Sequence, residues 1–143
     1  MKNIFLDTNV VIEYLSDRGS FSNASTELFD LYANNNQKVY IAAVSYTNIY
    51  YILNKQYKSH KKVINMLSQL LELSEIVDTT KNVVKDAIKS AFLDFEDAVQ
   101  YSSALSNTKI DIIVSRDKKG FNKSSIPVMD VEQALVYIKL NNK

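Results

Sequence analysis

Several residue types are scarce or missing in this chain of 143 residues, and each shortage excludes a class of structure or chemistry. Cysteine is absent, which excludes disulfide bonds and thiolate metal sites and fits a reducing compartment. The single histidine, His60, cannot by itself build a zinc site or a histidine-based catalytic cluster. With two glycines and one proline there are few breakers of regular structure, so we expect many helices and short loops.

Long hydrophobic runs and a strong charge of either sign are also missing. No apolar stretch is long enough to span a membrane and no signal-peptide type of leader is evident, so we expect a cytoplasmic protein without a membrane partner. The net charge of +1 does not by itself indicate a nucleic-acid partner. Hydrophobic residues make up 46% and charged residues 23%, which is ordinary for one globular domain, here spanning 1–143.

Apolar runs of strand length alternate with segments of helical periodicity, which predicts an α/β fold with a largely parallel sheet covered on both faces. The predicted strands are residues 4–6, 38–42, 75–77, 110–114 and 128–129. The predicted helices are residues 10–15, 22–36, 45–57, 63–73, 81–92, 94–106 and 131–140, with a polar connector at 17–23. Helix N-caps are predicted at Ser22 or Asn23, Ser45 or Thr47, Thr79 or Thr80, and Asp94.

The first predicted strand runs directly into a carboxylate. The apolar run at 4–6 is followed by Asp7, at the point where the strand leaves the core. Ligands of open α/β sheets bind beyond the carboxyl ends of the strands, which makes Asp7 a candidate site residue. The alternative is that Asp7 only helps to cap the first helix, which Thr8 or Asn9 could also cap.

Two further acidic segments repeat this pattern. Asp117 follows the apolar strand predicted at 110–114, whereas Asp94 and Asp97 open a helix, where both could simply satisfy free amides and the helix dipole. The flank beside Asp97 is expected to pack inward, and a carboxylate there must be paired or bind a cation. That flank consists of Ala98, Tyr101, Ser102 and Leu105.

Carboxylates that share one cleft raise one another's pKa unless a cation is present. Oxygen ligands of this kind select Mg²⁺ or Mn²⁺ over zinc, and these ions serve phosphate chemistry. Convergence of Asp7, Asp97 and Asp117 on one edge of the sheet would therefore build a site for such an ion.

A group of tyrosines and lysines in the middle of the chain allows two interpretations. These residues could contact RNA through stacking and charge, or the tyrosines could be core or interface residues beside a solvated lysine face. Because aromatic residues are favoured at interface centres, we also predict a homodimer or a complex with a partner protein through the early helices. The group comprises Tyr46, Tyr50, Tyr51, Tyr57, Lys55, Lys58, Lys61 and Lys62.

The segments at 4–9, 94–98 and 115–117, with their order and spacing, resemble the motifs of PIN-domain ribonucleases, especially the VapC-like toxins of bacterial type II toxin–antitoxin pairs. The resemblance covers essentially the whole chain. It implies a three-layer αβα sandwich around a five-stranded parallel sheet. It also implies Mg²⁺- or Mn²⁺-dependent endonuclease action on RNA that leaves 5′-phosphate and 3′-hydroxyl ends, and a small antitoxin protein as partner.

The resemblance also implies roles for individual residues. Asp7, Asp97 and Asp117 match the acidic metal positions of the family, and Asp94 matches a flanking catalytic acid seen in some members. The supporting polar positions are matched by Asn9 and Ser115. The cations expected to hold the RNA backbone are Arg116, Lys118 and Lys119.

One position departs from the family pattern. Members usually carry a glutamate near the start of the helix after the second strand, where this chain has Asn48. An amide coordinates through its oxygen without adding negative charge, which favours an alternative in which a degenerate PIN domain binds RNA or a protein without cleavage. A phosphatase of the haloacid-dehalogenase type is a third possibility, but that family requires a second aspartate where Asn9 stands.

Overall fold

The fold is given by a computed structural model that describes residues 1–16 and 22–141. Within these ranges the five strands are β1 (Ile4–Leu6), β2 (Val39–Ala42), β3 (Ser74–Val77), β4 (Ile112–Val114) and β5 (Val128–Met129). The helices are α1 (Thr8–Ser16), α2 (Ser22–Asn34), α3 (Ala43–Tyr57), α4 (His60–Leu73), α5 (Lys81–Lys89), α6 (Phe95–Ser106) and α7 (Val131–Asn141). A short 3₁₀ turn covers Lys119–Phe121.

The five strands form one parallel sheet in the order β3-β2-β1-β4-β5, which confirms the predicted fold class. The chain moves outward from β1 to β3 on one side and then crosses to β4 on the other side of β1. This reversal creates a crevice beyond the carboxyl ends of β1 and β4, the place where α/β sheets bind ligands. Leu6 pairs with Val114 in this register, so the residues that follow each strand emerge side by side.

Helices cover both faces of the sheet, as the apolar strands require. Side chains alternate along β1, with Ile4 and Leu6 packed against the core of α1, α2, α3, α4 and α7. Phe5 points to the opposite face, where a second cluster includes Ala104 of α6 and Phe121. Because both faces are buried, strands of this type appear in sequence as uninterrupted apolar runs.

The start of α3 differs from its prediction. The helix begins at Ala43 directly after β2, and Ala42 occupies the N-cap position without a side-chain cap. The predicted caps Ser45 and Thr47 are therefore wrong, since both lie within the helix. Ser45 is buried and its hydroxyl accepts a hydrogen bond from Thr8 Oγ1 at 3.1 Å.

Other boundaries also shift, although the caps at Thr80 and Asp94 are confirmed. Helix α4 begins three residues earlier than predicted because Ser59 caps it. Helix α5 ends at Lys89 rather than at residue 92, and Phe92, which is partly buried against the second core cluster, instead stacks on Tyr101.

Several element ends are shorter than the sequence suggested. Helix α2 ends at Asn34 instead of residue 36, and β4 starts at Ile112 instead of 110, because the Ile110 amide turns back to the Asn107 carbonyl at 3.2 Å. Residues 17–21 of the predicted connector, and the caps predicted on the side chains of residues 22 and 23, lie outside the described residues. No helix in the described part of the chain has the length and apolar character needed to cross a membrane.

Candidate active site

An acidic cleft of about 390 Å³ opens beyond the carboxyl ends of β1 and β4. The cleft brings together all four predicted acids and two of the predicted supporting residues. It also includes a glutamate from α6 and two exposed hydrophobic side chains from α3. The residues that line it are Asp7, Thr8, Asn9, Asn48, Tyr51, Ile52, Asp94, Glu96, Asp97 and Asp117.

Asp7 extends the first strand into this cleft. Its amide continues the ladder by donating to the Val114 carbonyl at 3.0 Å, and its side chain is only 4% exposed. The carboxylate accepts hydrogen bonds from the Thr8 amide at 2.7 Å and from Ser115 Oγ at 2.8 Å. Burial raises the pKa of Asp7 above its ordinary value, although these hydrogen bonds oppose the effect. Asp7 therefore precedes α1 and also faces the cleft, so the two interpretations of this residue are compatible.

Asp117 is held by the turn that follows β4. Its amide donates to Ser115 Oγ at 3.0 Å, so one serine hydroxyl links Asp7 and Asp117. Its carboxylate accepts from the Gly120 amide at 3.1 Å, at the start of the 3₁₀ turn. Two hydrogen bonds within the loop therefore hold the backbone and the carboxylate of Asp117 in place.

Gly120 was not recognised in the sequence as a site residue. A Cβ at this position would lie 2.5 Å from Asp97 Oδ2 and 2.6 Å from Asp117 Oδ2, closer than any side chain allows. Two carboxylate oxygens therefore converge on the open space beside a glycine. The available signal was the position of this scarce residue three places after Asp117.

Asp94 and Asp97 lie at the start of α6. Asp94 caps the helix by accepting from the Asp97 amide at 3.0 Å. Burial and, after it, the negative charges of four surrounding carboxylates together raise the pKa of Asp97 to about 7. Asp97 therefore lies where an added cation would relieve unfavourable charge.

The inward flank of α6 differs partly from the prediction. Ala98 and Ser102 are buried as expected, but Leu105 is 50% exposed. The helix buries Gln100 instead, and Gln100 Oε1 accepts a hydrogen bond from the Thr8 amide at 3.3 Å. This buried amide ties α6 to Thr8 at the start of α1, a contact that no sequence spacing indicated.

Glu96 is a second residue that the sequence interpretation missed. It lines the cleft, and burial raises the pKa of its carboxyl group. The Asn48 side chain is a hydrogen-bonding partner of Glu96, so a carboxylate from α6 lies beside Asn48. The signal was its place between Asp94 and Asp97, where it was attributed to the helix terminus.

The three cations predicted to hold RNA lie in different environments. Arg116 Nε is 3.0 Å from Glu13 Oε1, and the same guanidinium pairs with Glu132, so it links α1 to α7. Lys118 Nζ donates to Gln133 Oε1 at 3.1 Å.

Lys119 lies closer to the acids. It borders a second cavity of about 390 Å³ that shares Asp94, Asp97 and Asp117 with the acidic cleft and also includes Lys123. The structure thus brings Lys119 to the site and directs Arg116 and Lys118 toward other side chains. The predicted RNA contacts of all three remain predictions.

The donor set fits a hard divalent cation in part. All candidate ligands are carboxylate or amide oxygens, the type that Mg²⁺ and Mn²⁺ prefer. Among residues 1–16 and 22–141, no three acidic or histidine side chains are placed to enclose one ion together. Mg²⁺ is commonly held by one or two carboxylates with water in the remaining positions. Asp97 and Asp117, which converge beside Gly120, fit such a pair, with Asp7 adjacent.

The fold and the site together define a class of protein. It is a three-layer α/β domain with a parallel sheet and an acidic, oxygen-rich cleft where the strand order reverses. A family model described as a PIN domain matches residues 3–119. The chain therefore belongs to the PIN-domain family, whose members are typically nucleases, and the predicted resemblance is confirmed.

Solved structures show the same fold at low sequence identity. VapBC2 from Rickettsia felis, bound to a DNA fragment from its promoter, matches with a TM-score of 0.67 and 16% identity over 89% of this chain and 97% of that chain. DNA-bound VapBC from Salmonella typhimurium matches with a TM-score of 0.67 and 17% identity over 92% of this chain and 99% of that chain. VapC20 from Mycobacterium tuberculosis, a sarcin-ricin loop cleaving toxin, matches with a TM-score of 0.62 and 14% identity over 78% of this chain and 87% of that chain. A comparison with curated proteins found no match.

Proposed function

We propose that this protein is a divalent-metal-dependent endoribonuclease and a VapC-like toxin. The observation that carries the proposal is the convergence of Asp97 and Asp117 beside Gly120, in a cleft where charge and burial raise the pKa of Asp97 to about 7. Family membership supports nuclease chemistry, and the description of VapC20 as a sarcin-ricin loop cleaving toxin supports RNA as the substrate class.

In this proposal, some residues would hold the metal ion and others orient the residues that hold it. Asp97 and Asp117 would hold Mg²⁺ or Mn²⁺, with Asp7 adjacent and able to contact the ion through water, and the bound ion would supply charge neutralisation and water activation for hydrolysis of the phosphodiester bond. Ser115 orients two of these acids through its hydroxyl, and Asp94 fixes the start of α6. The proposal includes in-line cleavage that leaves 5′-phosphate and 3′-hydroxyl ends, as the family resemblance implies.

The partners follow from the same family argument. A small antitoxin protein is proposed because two of the structural neighbours are VapBC complexes. A homodimer and a cytoplasmic location are part of the proposal. Light scattering of the purified chain tests the homodimer, and a monomer at high concentration would contradict it.

Cleavage of a labelled RNA with and without divalent ions tests the activity. We expect cleavage with Mg²⁺ or Mn²⁺, none after chelation, and a loss of about a hundredfold or more in Asp97→Asn and Asp117→Asn. Mg²⁺ or Mn²⁺ should also raise the melting temperature of the wild type and fail to do so in Asp7→Asn or Asp97→Asn.

Asp86→Asn is the matched control, because this exposed aspartate on α5 lies outside the lining of the cleft. Metal-independent cleavage, or equal metal-induced melting shifts in all variants, would contradict the assignment.

A second candidate function is RNA or protein binding without cleavage, and Asn48 is the observation that favours it. This candidate predicts that the protein binds metal and RNA but leaves the RNA intact. The proximity of Glu96 to Asn48 favours the enzyme instead, because it restores a carboxylate to that side of the cleft.

A further inference from the structure

The tyrosines of α3 fall into two groups. Tyr46, Tyr50 and Tyr57 are half-buried, and each hydroxyl is hydrogen-bonded within the chain. These three residues are accounted for by the packing of the domain. Tyr51 differs because 63% of its surface is exposed and its ring lines the acidic cleft.

The Tyr51 ring is exposed to solvent, but a neighbouring ring contacts it and restricts its position. The ring meets Tyr50 edge to face, with centroids 5.6 Å apart and an interplanar angle of 76°. Tyr50 is in turn tied to α4 by a hydrogen bond of 2.7 Å between its hydroxyl and His60 Nδ1. An aromatic ring with a braced edge and large exposure at a cleft rim is suited to stack against a planar ligand.

We propose that Tyr51 is a stacking platform for an unpaired nucleobase of the RNA that enters the acidic cleft. The proposal rests on the proposed function, since it assigns a base-binding subsite in the same cleft. Bases of a duplex are stacked on their own neighbours and paired, whereas bases of single strands and loops are free to stack on aromatic side chains.

The helix continues this surface with a cation. Lys55 follows Tyr51 by four residues, which places it on the same face of α3 about 6 Å farther along the axis. It is exposed, and none of the ion pairs found in the described part of the chain includes it. Along one face, α3 thus presents Asn48 at the acidic cleft, then the aromatic ring, and then a positive charge suited to a backbone phosphate.

Binding of a single-stranded oligoribonucleotide carrying 2-aminopurine tests the proposal. All variants carry Asp97→Asn so that the RNA stays intact during the measurement. We expect the parent protein to quench the 2-aminopurine fluorescence, because stacking on an aromatic ring quenches it. Tyr51→Ala should lose the quenching and bind about tenfold more weakly, whereas Tyr51→Phe should retain both.

Two controls separate stacking from charge and from general surface effects. Ile88→Ala removes a similarly exposed side chain from α5, outside the cleft lining, and should change neither quenching nor affinity. Lys55→Ala should reduce the slope of log affinity against log salt by about 0.7, the value for one phosphate of a single strand, while Tyr51→Ala should leave that slope unchanged. A duplex of the same sequence should bind at least tenfold more weakly than the single strand.

The outcomes distinguish this subsite from the proposed activity. Wild-type affinity and quenching in Tyr51→Ala would overturn the subsite, even if the wild type cleaves RNA. Quenching and binding without cleavage by the wild type would contradict the endoribonuclease and keep the subsite. A change of oligomeric state in Tyr51→Ala, with RNA affinity unaltered, would assign the ring to a protein interface and overturn the proposal.

Discussion

Asp97 lies where burial and neighbouring carboxylates both oppose its ionised form. Its pKa is about 7 in the folded protein, against an ordinary value of 3.8 in the unfolded chain. Between these values the folded state retains a proton that the unfolded state has released. The contribution of Asp97 to the free energy of unfolding therefore declines as pH rises from about 4 to about 7.

Denaturant unfolding in the presence of a chelator, at pH 5 and at pH 8, measures this effect. We expect Asp97→Asn to gain stability relative to the wild type at pH 8 and to show a clearly smaller gain at pH 5. Asp86→Asn, which changes the same functional group on an exposed surface, should follow the wild type at both values. An equal difference between Asp97→Asn and the wild type at both pH values would contradict the charge conflict.

Asn48 allows a test in which a negative charge is added to the cleft, whereas Asp97→Asn removes one. Asn48→Glu adds a carboxylate beside Glu96, so repulsion should lower the melting temperature without metal. With Mn²⁺ the added ligand should tighten binding about tenfold, which corresponds to about 1.4 kcal/mol, and make the affinity more dependent on pH. Calorimetric titration of Mn²⁺ into both proteins decides the matter, and equal affinities would mean that residue 48 does not reach the ion.

At the scale of elements, the 3₁₀ turn at Lys119–Phe121 positions the site through its backbone. Gly120→Ala would place a methyl group against Asp97 Oδ2 and Asp117 Oδ2, which must then move apart. We expect Mn²⁺ affinity to fall about tenfold, as for other changes that misalign metal ligands. Asn82→Ala, at an exposed position on α5 outside the linings of both cavities, is the control, and equal affinity in both variants would contradict the close approach.

The elements differ in how far the sequence determined them. Strand β1 was predicted correctly because its apolar run is short, contains β-branched and aromatic residues and ends at polar residues, as a strand buried on both faces does. The start of α3 was missed because β2 leads into it without a loop, and Ser45 uses its hydroxyl for a tertiary contact with Thr8 instead of a cap. Local patterns fix the type of an element, whereas its ends depend on partners that are distant in sequence.

The site shows the same division. The acids that follow strands were predictable from the rule that parallel strands present their ends at one edge. Gly120 and Gln100 were not, because a close backbone approach and a buried amide contact arise only after the layers pack. Nor does sequence alone show that Arg116 would meet Glu13 and Glu132, one more than a hundred positions before it and the other in the last helix.

At the scale of the whole molecule, Arg116 joins the loop after β4 to α1 and α7. The pairing with Arg116 lowers the pKa of Glu132, and the side chains of Arg116 and Glu13 are each only 16% exposed. Arg116→Ala would leave Glu13 largely buried without this partner, so we expect a loss of about 2 kcal/mol of unfolding free energy. Metal affinity should also fall, because Asp117 is the next residue.

Urea denaturation of matched variants checks this expectation. Lys139 pairs with Glu27 on an exposed surface, so Lys139→Ala should change the unfolding free energy by less than about 1 kcal/mol. Similar losses in the two variants would show that the Arg116 network contributes no more than an ordinary surface ion pair.

The pairing of β1 with β4 has a consequence for synthesis of the chain. Asp7 emerges from the ribosome well before Ser115, which bonds it from 108 positions away, and before Asp117 and Gly120. A nascent chain that stops before β4 thus contains no complete acidic cleft, whatever helices it has already formed. A protein proposed to cut RNA inside the cell that translates it would therefore remain harmless on the ribosome until β4 and the turn after it have been synthesised.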